Sequence, residues 1–244
     1  MTQHQDRMLR RIRALLAHAE DEHLDQKARE SYNEKASLLI AQYGIDQALL
    51  AESGRVSDKI TQLSLSIDNP YSHDKADLLS YIAHGMRCRT VRYPRGRTIV
   101  RVVVVGYQTD LDRVELLYTS LLLQSTSQMT RVRPAGHVST AVYRRSWLLG
   151  FRTAVLKRLL ASEKTASTQA DQQCPSGSTS TALVLRSRED RVDIAFKDAF
   201  PGLRNTKRHS SIVGSGFSHG LAAGQRADLD DKRLANRARF ITRD

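Results

Sequence analysis

Apolar residues recur at helical spacing in the first part of the chain and predict two amphipathic helices. In DRMLRRIRALLAHAE, the apolar positions Met8, Ile12, Leu15 and Leu16 share one side, and the arginines lie around it. QKARESYNEKASLLIAQYG repeats the pattern, and Gly44 is placed to end the second helix with a left-handed stop. Two such helices joined by a short polar link predict an αα-hairpin.

Strand-like alternation follows the hairpin. Residues 60–67, ITQLSLSI, alternate apolar and polar positions as a half-buried strand does. SHDKADLLSYIAHGM then has helical spacing, with Ser72 as a candidate cap and Gly85 at the end. CRTVRY and RTIVRVVVVG, joined by a turn at Pro94 to Gly96, predict a β-hairpin whose second arm is too apolar for an open edge. Together these segments predict a three-stranded antiparallel sheet.

The rest of the chain is mainly helical in pattern. We expect helices over about 109–131 and about 139–161, followed by a polar, low-complexity loop at 162–180 and a further helix beginning at TALVLRSRED. The fold class is therefore α+β, with an N-terminal αα-hairpin followed by a small antiparallel three-stranded sheet packed with several helices. The predicted domains are a helical hairpin domain at 1–54, a basic α+β domain at 55–164, a flexible linker at 165–180, and a C-terminal helical segment with a Gly-rich loop and charged tail at 181–244.

Composition narrows the class of protein. The chain has 244 residues, of which 40% are hydrophobic and 26% charged, which is typical of a folded globular protein. No apolar run approaches the length of about 18 residues that a membrane span needs, so we expect no membrane partner. Cys88 and Cys174 are far apart in unlike contexts, which predicts neither a disulfide framework nor a cysteine zinc site. A reducing cytoplasm is the predicted location.

Positive charge is concentrated in the middle of the chain. The net charge is +12, and residues 55–170 hold 18 basic and 8 acidic side chains. Such a field attracts polyanions, of which nucleic acid is the usual one. The alternative is compositional, because 29 of the 38 basic residues are arginine and a high-GC genome would favour arginine without any binding role.

Two arginine-rich stretches are the candidate nucleic-acid-binding sites. On the predicted β-hairpin, arginines could pair with phosphates while Tyr93 stacks on a base. Its residues are Arg87, Arg89, Arg92, Tyr93, Arg95, Arg97 and Arg101. The second stretch is a helix face with Arg144, Arg145, Arg152, Lys157 and Arg158. The alternative for the hairpin is a solvated strand face whose arginines prevent edge-to-edge aggregation.

A Gly-rich segment, SSIVGSGFSHGLAAG, is a candidate anion site. Lys207, Arg208, Gly214 and Gly216 could bind an anion through side chains and backbone N–H groups at a helix start. The glycine spacing fits neither a dinucleotide-binding fingerprint nor a P-loop. We favour the alternative that small residues let one helix pack closely on another; these are Gly220, Ala223, Gly224 and Ala227.

Catalytic and metal chemistry has little support in the sequence. His18 and His23 lie near acidic residues, but their spacing is not that of a metal motif. Asp110, Asp112 and Glu115 fit the start of a helix, and Glu189, Asp190 and Asp193 fit a solvated face paired with Arg186, Arg188 and Arg191. We therefore predict no catalytic residue, no metal site and no cofactor.

The N-terminal stretch RIRALLAHAEDEH, followed by KASLLIAQYGID, resembles a family of uncharacterised bacterial and phage proteins, the domain-of-unknown-function family 2786. The resemblance covers about residues 6–47, and YGID at 43–46 fits the family pattern well. RTIVRVVVVGYQTDLDRVELLYTSLLLQ and YRRSWLLGF look like a second uncharacterised region that follows in many such proteins. The resemblance implies an organisation and brings no catalytic residue with it.

Three functional hypotheses follow. The first is a non-enzymatic, nucleic-acid-associated protein that binds phosphate backbone with low sequence specificity, its hairpin serving for docking or self-association. The second is an enzyme acting on nucleic acid or nucleotide, with a site assembled between the body and the Gly-rich segment. Such a site would bring His209 or His219 near Asp228 or near the Asp110 group. The third is a protein-interaction adaptor of phage or mobile-element origin, for which the charge is compositional.

Overall fold

The computed structural model describes residues 26–132, 134, 138–173, 180–203, 212 and 214–227. The first helix of the predicted hairpin, the basic residues Lys207 and Arg208, and the charged tail lie outside the described residues. The helices are α1 (Gln26–Glu52), α2 (Ser72–Gly85), α3 (Gln108–Arg131), α4 (Thr140–Gln173), α5 (Thr181–Ala199) and α6 (Gly214–Gln225). The strands are β1 (Ile60–Ser66), β2 (Arg89–Arg95) and β3 (Thr98–Tyr107). The α+β class is confirmed, with helices predominating.

The three strands form one antiparallel sheet in the order β1-β3-β2. The apolar β3 is the central strand, as its sequence predicts, and Val102 and Val104 are completely buried. The turn of the hairpin is Gly96 and Arg97 rather than Pro94 to Gly96, and Gly96 supplies its positive φ of 60°. Pro94 belongs to β2, where the register with β3 shifts.

The core lies between one face of the sheet and helices α2, α3 and α4. Leu79 and Ile82 of α2, Leu121 of α3, and Trp147 and Phe151 of α4 are buried there. The Trp147 and Phe151 rings stack with centroids 5.2 Å apart. The expected apolar stripe of α4 is therefore confirmed.

Gly44 does not end its helix. The helix α1 runs through Gly44 to Glu52, contrary to the expectation of a left-handed stop. A Cβ at residue 44 would overlap the guanidinium of Arg113, so the glycine provides space for a side chain of α3 instead. The C-terminal half of α1 packs on α4 and α5 through a second apolar cluster whose buried members are Ala41, Ile45, Ala48, Ala166 and Leu185.

The helix α4 is longer than its apolar pattern indicates. The segment expected to be a flexible linker from residue 165 is helical as far as Gln173, and 174–179 lie outside the described residues. Lys, Glu, Gln and Ala in this segment favour helix. In addition, Ala166 is buried against α1, and Gln42 donates a hydrogen bond of 2.7 Å to Gln169. Contacts with α1 therefore stabilise a helical extension that has almost no apolar stripe of its own.

Glycines spaced by four residues bring α6 close to α4, as the favoured interpretation predicts. Ideal Cβ atoms at Gly216 and Gly224 would lie 2.7 Å from the carbonyl oxygen of Tyr143 and 2.5 Å from that of Phe151. A Cβ at Gly220 would overlap the carbonyl of Trp147. The helix α6 therefore rests directly on the backbone of α4.

The starts of α2 and α3 form hydrogen bonds with residues distant in sequence, and Ser72 is not the cap that the sequence predicts. Tyr71 occupies the N-cap position of α2, and the hydroxyl of Ser72 accepts a hydrogen bond of 3.1 Å from the Ile99 N–H of β3. At the start of α3, Asp58 accepts hydrogen bonds from the N–H of Thr109 at 3.3 Å and from its hydroxyl at 2.7 Å. At both helix starts the hydrogen-bond partner is distant in sequence, which a local pattern does not predict.

Candidate nucleic-acid interface

The end of the β2–β3 hairpin carries exposed arginines. Arg95 and Arg97 flank Gly96 in the tight turn, and Arg101 lies four residues further along β3. All three arginine side chains belong to exposed residues, and no carboxylate of the described residues forms an ion pair with them. Residues 93–101, which we call the hairpin end, are therefore an uncompensated basic surface within the described part of the chain.

Tyr93 supports an arginine within the hairpin end. Tyr93 and Arg101 are directly opposite each other on β2 and β3. The guanidinium carbon of Arg101 lies 4.1 Å from the centre of the Tyr93 ring, within cation–π distance. One face of the ring is thereby covered, while the N–H groups of the guanidinium stay available at the edge of the stack. The contact orients the Arg101 guanidinium and leaves at most one face of the Tyr93 ring uncovered.

The hairpin and α4 meet at α2, so the two arginine-rich stretches converge. Asp77 of α2 bridges them: one carboxylate oxygen lies 2.5 Å from Arg92 of β2 and the other 2.9 Å from Arg152 of α4. The guanidinium carbon of Arg152 also lies 5.3 Å from the centre of the Tyr81 ring. The Arg92 side chain is 37% exposed, whereas that of Arg152 is only 10% exposed. Arg92 can therefore still reach a ligand, and Arg152 cannot do so readily.

A second carboxylate of α2 extends this contact along α4. Asp74 is buried and lies 3.7 Å from Arg152 and 4.0 Å from Arg145. The Arg145 side chain is 49% exposed. His73, beside Asp74, contacts the carbonyl oxygen of Arg97 at 3.1 Å. The start of α2 thus connects the hairpin turn with the exposed Arg145.

Two hairpin arginines are used inside the protein. Arg87 donates a hydrogen bond of 2.7 Å to Glu163 of α4. Arg89 pairs with Glu189 at 2.9 Å and with Asp193 at 2.5 Å, both on α5. The sequence predicted that Glu189 and Asp193 pair with arginines of their own helix. Both pair with Arg89 of β2 instead. They fasten α5 to the sheet.

The remaining basic residues of the α4 stretch differ in exposure. Arg158 donates hydrogen bonds to the carbonyl oxygens of Gly224 at 3.0 Å and Ala227 at 2.6 Å, which satisfies groups at the C-terminus of α6. Lys157 is exposed, and Arg144 is half-buried with its Nε atom enclosed. Arg158 is thus engaged in holding α6, while Lys157 is free to contribute to the surface field.

A buried ionic cluster that residue patterns did not predict lies at the end of the sheet opposite the hairpin turn. In it, Arg113 pairs with Asp110 at 2.9 Å and with Glu163. Arg188 pairs with Asp58 at 2.5 Å, and its guanidinium carbon lies 3.5 Å from the centre of the Tyr107 ring. The cluster consists of Asp58, Arg87, Asp110, Arg113, Glu163 and Arg188.

Pairing of opposite charges offsets the cost of burying the ionic cluster. Its arginines and carboxylates are equal in number, so removing any one member would leave the buried cluster with a net charge. Burial by itself raises the pKa of Glu163, but Arg113 and Arg87 outweigh it and hold that pKa below its ordinary value of 4.5. The Asp110-x-x-Arg113 spacing on one helix is the only sequence signal for the cluster. Asp110 does lie in the first turn of α3, as its interpretation as a helix-start carboxylate predicts, and it is buried as well.

The remaining candidate residues are those of the anion site, a histidine, a cysteine and the metal-binding side chains. Of the predicted anion site, Gly216 is buried against α4 and Gly214 is open, whereas Lys207 and Arg208 lie outside the described residues. His219 contacts the hydroxyl of Tyr143 at 2.6 Å. Burial raises the pKa of the Cys88 thiol far above its ordinary value. Within the part of the chain that the structure describes, no group of three metal-binding side chains occurs.

The geometry defines an α+β protein with a basic hairpin end and an internal framework of arginine–carboxylate pairs. The model of a family described as "Protein of unknown function (DUF2786)" matches residues 7–47, which confirms the resemblance of the N-terminal segment. Residues 26–47 of the match form the first part of α1. No curated protein and no solved structure matches the chain. No described helix is long and apolar enough to cross a membrane.

Proposed function

We propose that this protein binds the phosphate backbone of nucleic acid through the hairpin end, with low sequence specificity and without catalysis. Arg95, Arg97 and Arg101 are the principal contacts, and Arg92 and Arg145 extend the surface across the start of α2. The observation that carries the proposal is that the three arginines of the hairpin end are exposed and have no described carboxylate partner. Six of the other predicted arginines, Arg145 among them, are paired or hydrogen-bonded within the protein.

Side-chain chemistry supports phosphate rather than base as the ligand group. A guanidinium presents a planar fork of N–H donors that matches two phosphate oxygens. Arg101 is oriented by the Tyr93 ring, and the tight turn at Gly96 fixes the positions of Arg95 and Arg97 relative to each other. The exposed residues of the hairpin end supply no amide side chain to read adenine and no carboxylate to read cytosine, so guanine is the base whose edge their arginines could read.

Fluorescence anisotropy of the full chain tests the proposal. Labelled duplex and single-stranded oligonucleotides of mixed sequence are titrated at two salt concentrations. We expect binding that weakens steeply with salt, and the variant Arg95→Ala/Arg97→Ala/Arg101→Ala should bind less tightly with a salt slope smaller by up to about three units on a duplex. Absence of binding by the unsubstituted protein at low salt would contradict the proposal.

A matched variant separates a defined surface from net charge. Arg55→Ala/Lys164→Ala/Arg186→Ala removes the same amount of charge from exposed positions outside both candidate stretches. This control should retain most of the affinity. Equal weakening by the two triple variants would mean that binding reflects overall charge, and the hairpin end would lose its assigned role. Circular dichroism of both variants checks that the fold is unchanged.

A further inference from the structure

The two edges of the sheet differ in how well they are protected against pairing with a further strand. Since β3 is central, β1 and β2 are both edge strands. The β2 edge bears Arg92, Pro94 and Arg95, and the Thr90 hydroxyl bonds to Ser80 of α2 at 3.0 Å. Charge, proline and a covering helix are the usual means of blocking strand addition. The seven residues of β1, ITQLSLS, contain no charge, no proline and no glycine.

The register shows which backbone groups of β1 point away from the sheet. Ile67 N–H donates to the Val100 carbonyl at 2.9 Å, and Gln108 N–H donates to the Lys59 carbonyl at 3.0 Å. Because hydrogen-bonded pairs alternate along an antiparallel ladder, the odd-numbered residues of β1 bond to β3. Their even-numbered neighbours therefore direct N–H and C=O groups outward.

The outward groups of β1 are open within the described part of the chain. Gln62, Ser64 and Ser66 are exposed. No other described group forms a hydrogen bond with the outward N–H or C=O groups at these positions. An uncharged edge strand with a row of unpaired donors and acceptors is a template for another strand.

We propose that β1 pairs antiparallel with β1 of a second copy of this chain, about a twofold axis at Leu63. In this register Gln62 lies opposite the partner's Ser64, and Ile60 opposite the partner's Ser66. All four positions are among those whose backbone groups point outward, so each pair exchanges both N–H···O bonds. Their side chains also lie on the same sheet face in both copies, because side chains alternate along a strand.

On the core-facing side of the proposed strand pair, the side chains of the two copies also match. Leu63 meets Leu63 of the other copy, and Thr61 meets the partner's Leu65. Leu63 and Leu65 are half-buried in one copy and already pack against the main core, so pairing would extend that core across the axis. A second copy is favoured over an unrelated peptide because the strand matches itself on both faces and brings no like charges together.

The positive charge of the chain does not oppose this arrangement locally. Ser66, at the C-terminal end of β1, is paired with Arg101 and hence lies near the hairpin end. Antiparallel pairing of β1 places the second hairpin end at the other end of the six-stranded sheet. The two basic surfaces are therefore kept apart, and only uncharged residues meet at the axis.

Light scattering coupled to size exclusion tests the oligomeric state over a wide concentration range. The full chain should approach twice its mass of 27.4 kDa as concentration rises. Ser64→Pro deletes an outward N–H and leaves the bonds to β3 intact, so it should raise the dimer dissociation constant by about tenfold or more. Ser64→Ala keeps the N–H and should dimerise as the unsubstituted protein does.

Disulfide trapping tests the register in a Cys174→Ser background, where Cys88 is buried. Residues opposite each other in a non-hydrogen-bonded pair have Cα atoms about 4.5 Å apart, so Leu63→Cys should cross-link on mild oxidation. Leu65→Cys should not, because its two copies would be about 13 Å apart. A monomeric protein at all concentrations, an unaffected Ser64→Pro dimer, or equal cross-linking of both cysteine variants would overturn the proposal.

Discussion

The Arg113 guanidinium occupies the space that a side chain at residue 44 would need. Gly44 lies in the middle of α1 and belongs to the YGID stretch of the matched family segment. Arg113 comes from α3 and is buried, with Asp110 and Glu163 as its partners. The glycine of the N-terminal segment is thus explained by a contact with a buried charge from a distant helix.

Replacing Gly44 by alanine should destabilise the protein although alanine favours helix. The added Cβ would displace the Arg113 guanidinium from its carboxylates, and we expect a loss of about 3 kcal/mol in the free energy of unfolding. Urea denaturation measures the change. Gly214→Ala is the control, since a Cβ there meets open space.

A double-mutant cycle identifies the cause of that loss. In an Arg113→Met background the guanidinium is gone, so Gly44→Ala should cost much less than it does in the unsubstituted chain. If the two costs were the same, steric conflict with Arg113 would not be the reason for the glycine.

The buried ionic cluster predicts a defined dependence of stability on pH. Because the folded pKa of Glu163 lies below its ordinary value of 4.5, its ionisation stabilises the fold above that value. This contribution is lost as pH falls through the lower folded pKa. Glu163→Gln lacks the charge, so it should be less stable than the unsubstituted protein by about 3 kcal/mol at neutral pH, with the difference shrinking below about pH 4.

Denaturation series at neutral and acidic pH measure this difference. Glu115→Gln is the matched control, because Glu115 is exposed on α3 and should show little effect at any pH. A penalty for Glu163→Gln that stayed constant into acid would show that the ion pairs of Glu163 with Arg113 and Arg87 are not its source.

Local patterns predicted the elements whose residues interact with near neighbours. The alternation in ITQLSLSI, the apolar β3 and the glycine spacing of α6 all correspond to observed elements. The helical extension of α4 and the role of Gly44 were missed because each depends on contact with a distant helix. Propensity is a weak signal where tertiary packing decides.

The arginines show the same limit of local sequence patterns. Sequence offered two explanations for their excess, nucleic-acid binding and genomic composition. A third is that several of them pair with carboxylates far away in the chain, as Arg188 does with Asp58 and Arg89 with Asp193. No local spacing connects such partners, so which arginines stay free for a ligand could be seen only in the folded chain.

Gly220→Ala should loosen α6 from α4. The new Cβ would overlap the Trp147 carbonyl, and backbone cannot move aside as a side chain can. We therefore expect the amides of α6 to lose protection from hydrogen exchange, or α6 to separate from α4. Hydrogen exchange of amides in Gly214–Gln225 measures this. Gly214→Ala again serves as control and should leave exchange unchanged; wild-type protection in Gly220→Ala would contradict the close packing.

Asp77 should oppose phosphate binding if the interface extends from the hairpin end onto α2. Its carboxylate bridges Arg92 and Arg152, so it both repels phosphate and occupies a partly exposed arginine. Asp77→Asn should therefore tighten binding to a duplex by about three- to fivefold at low salt. Asp190→Asn, on an exposed position of α5, changes net charge equally and is the control. Anisotropy titrations that gave the two variants the same affinity would confine the interface to the hairpin end, because only a local effect of Asp77 separates them.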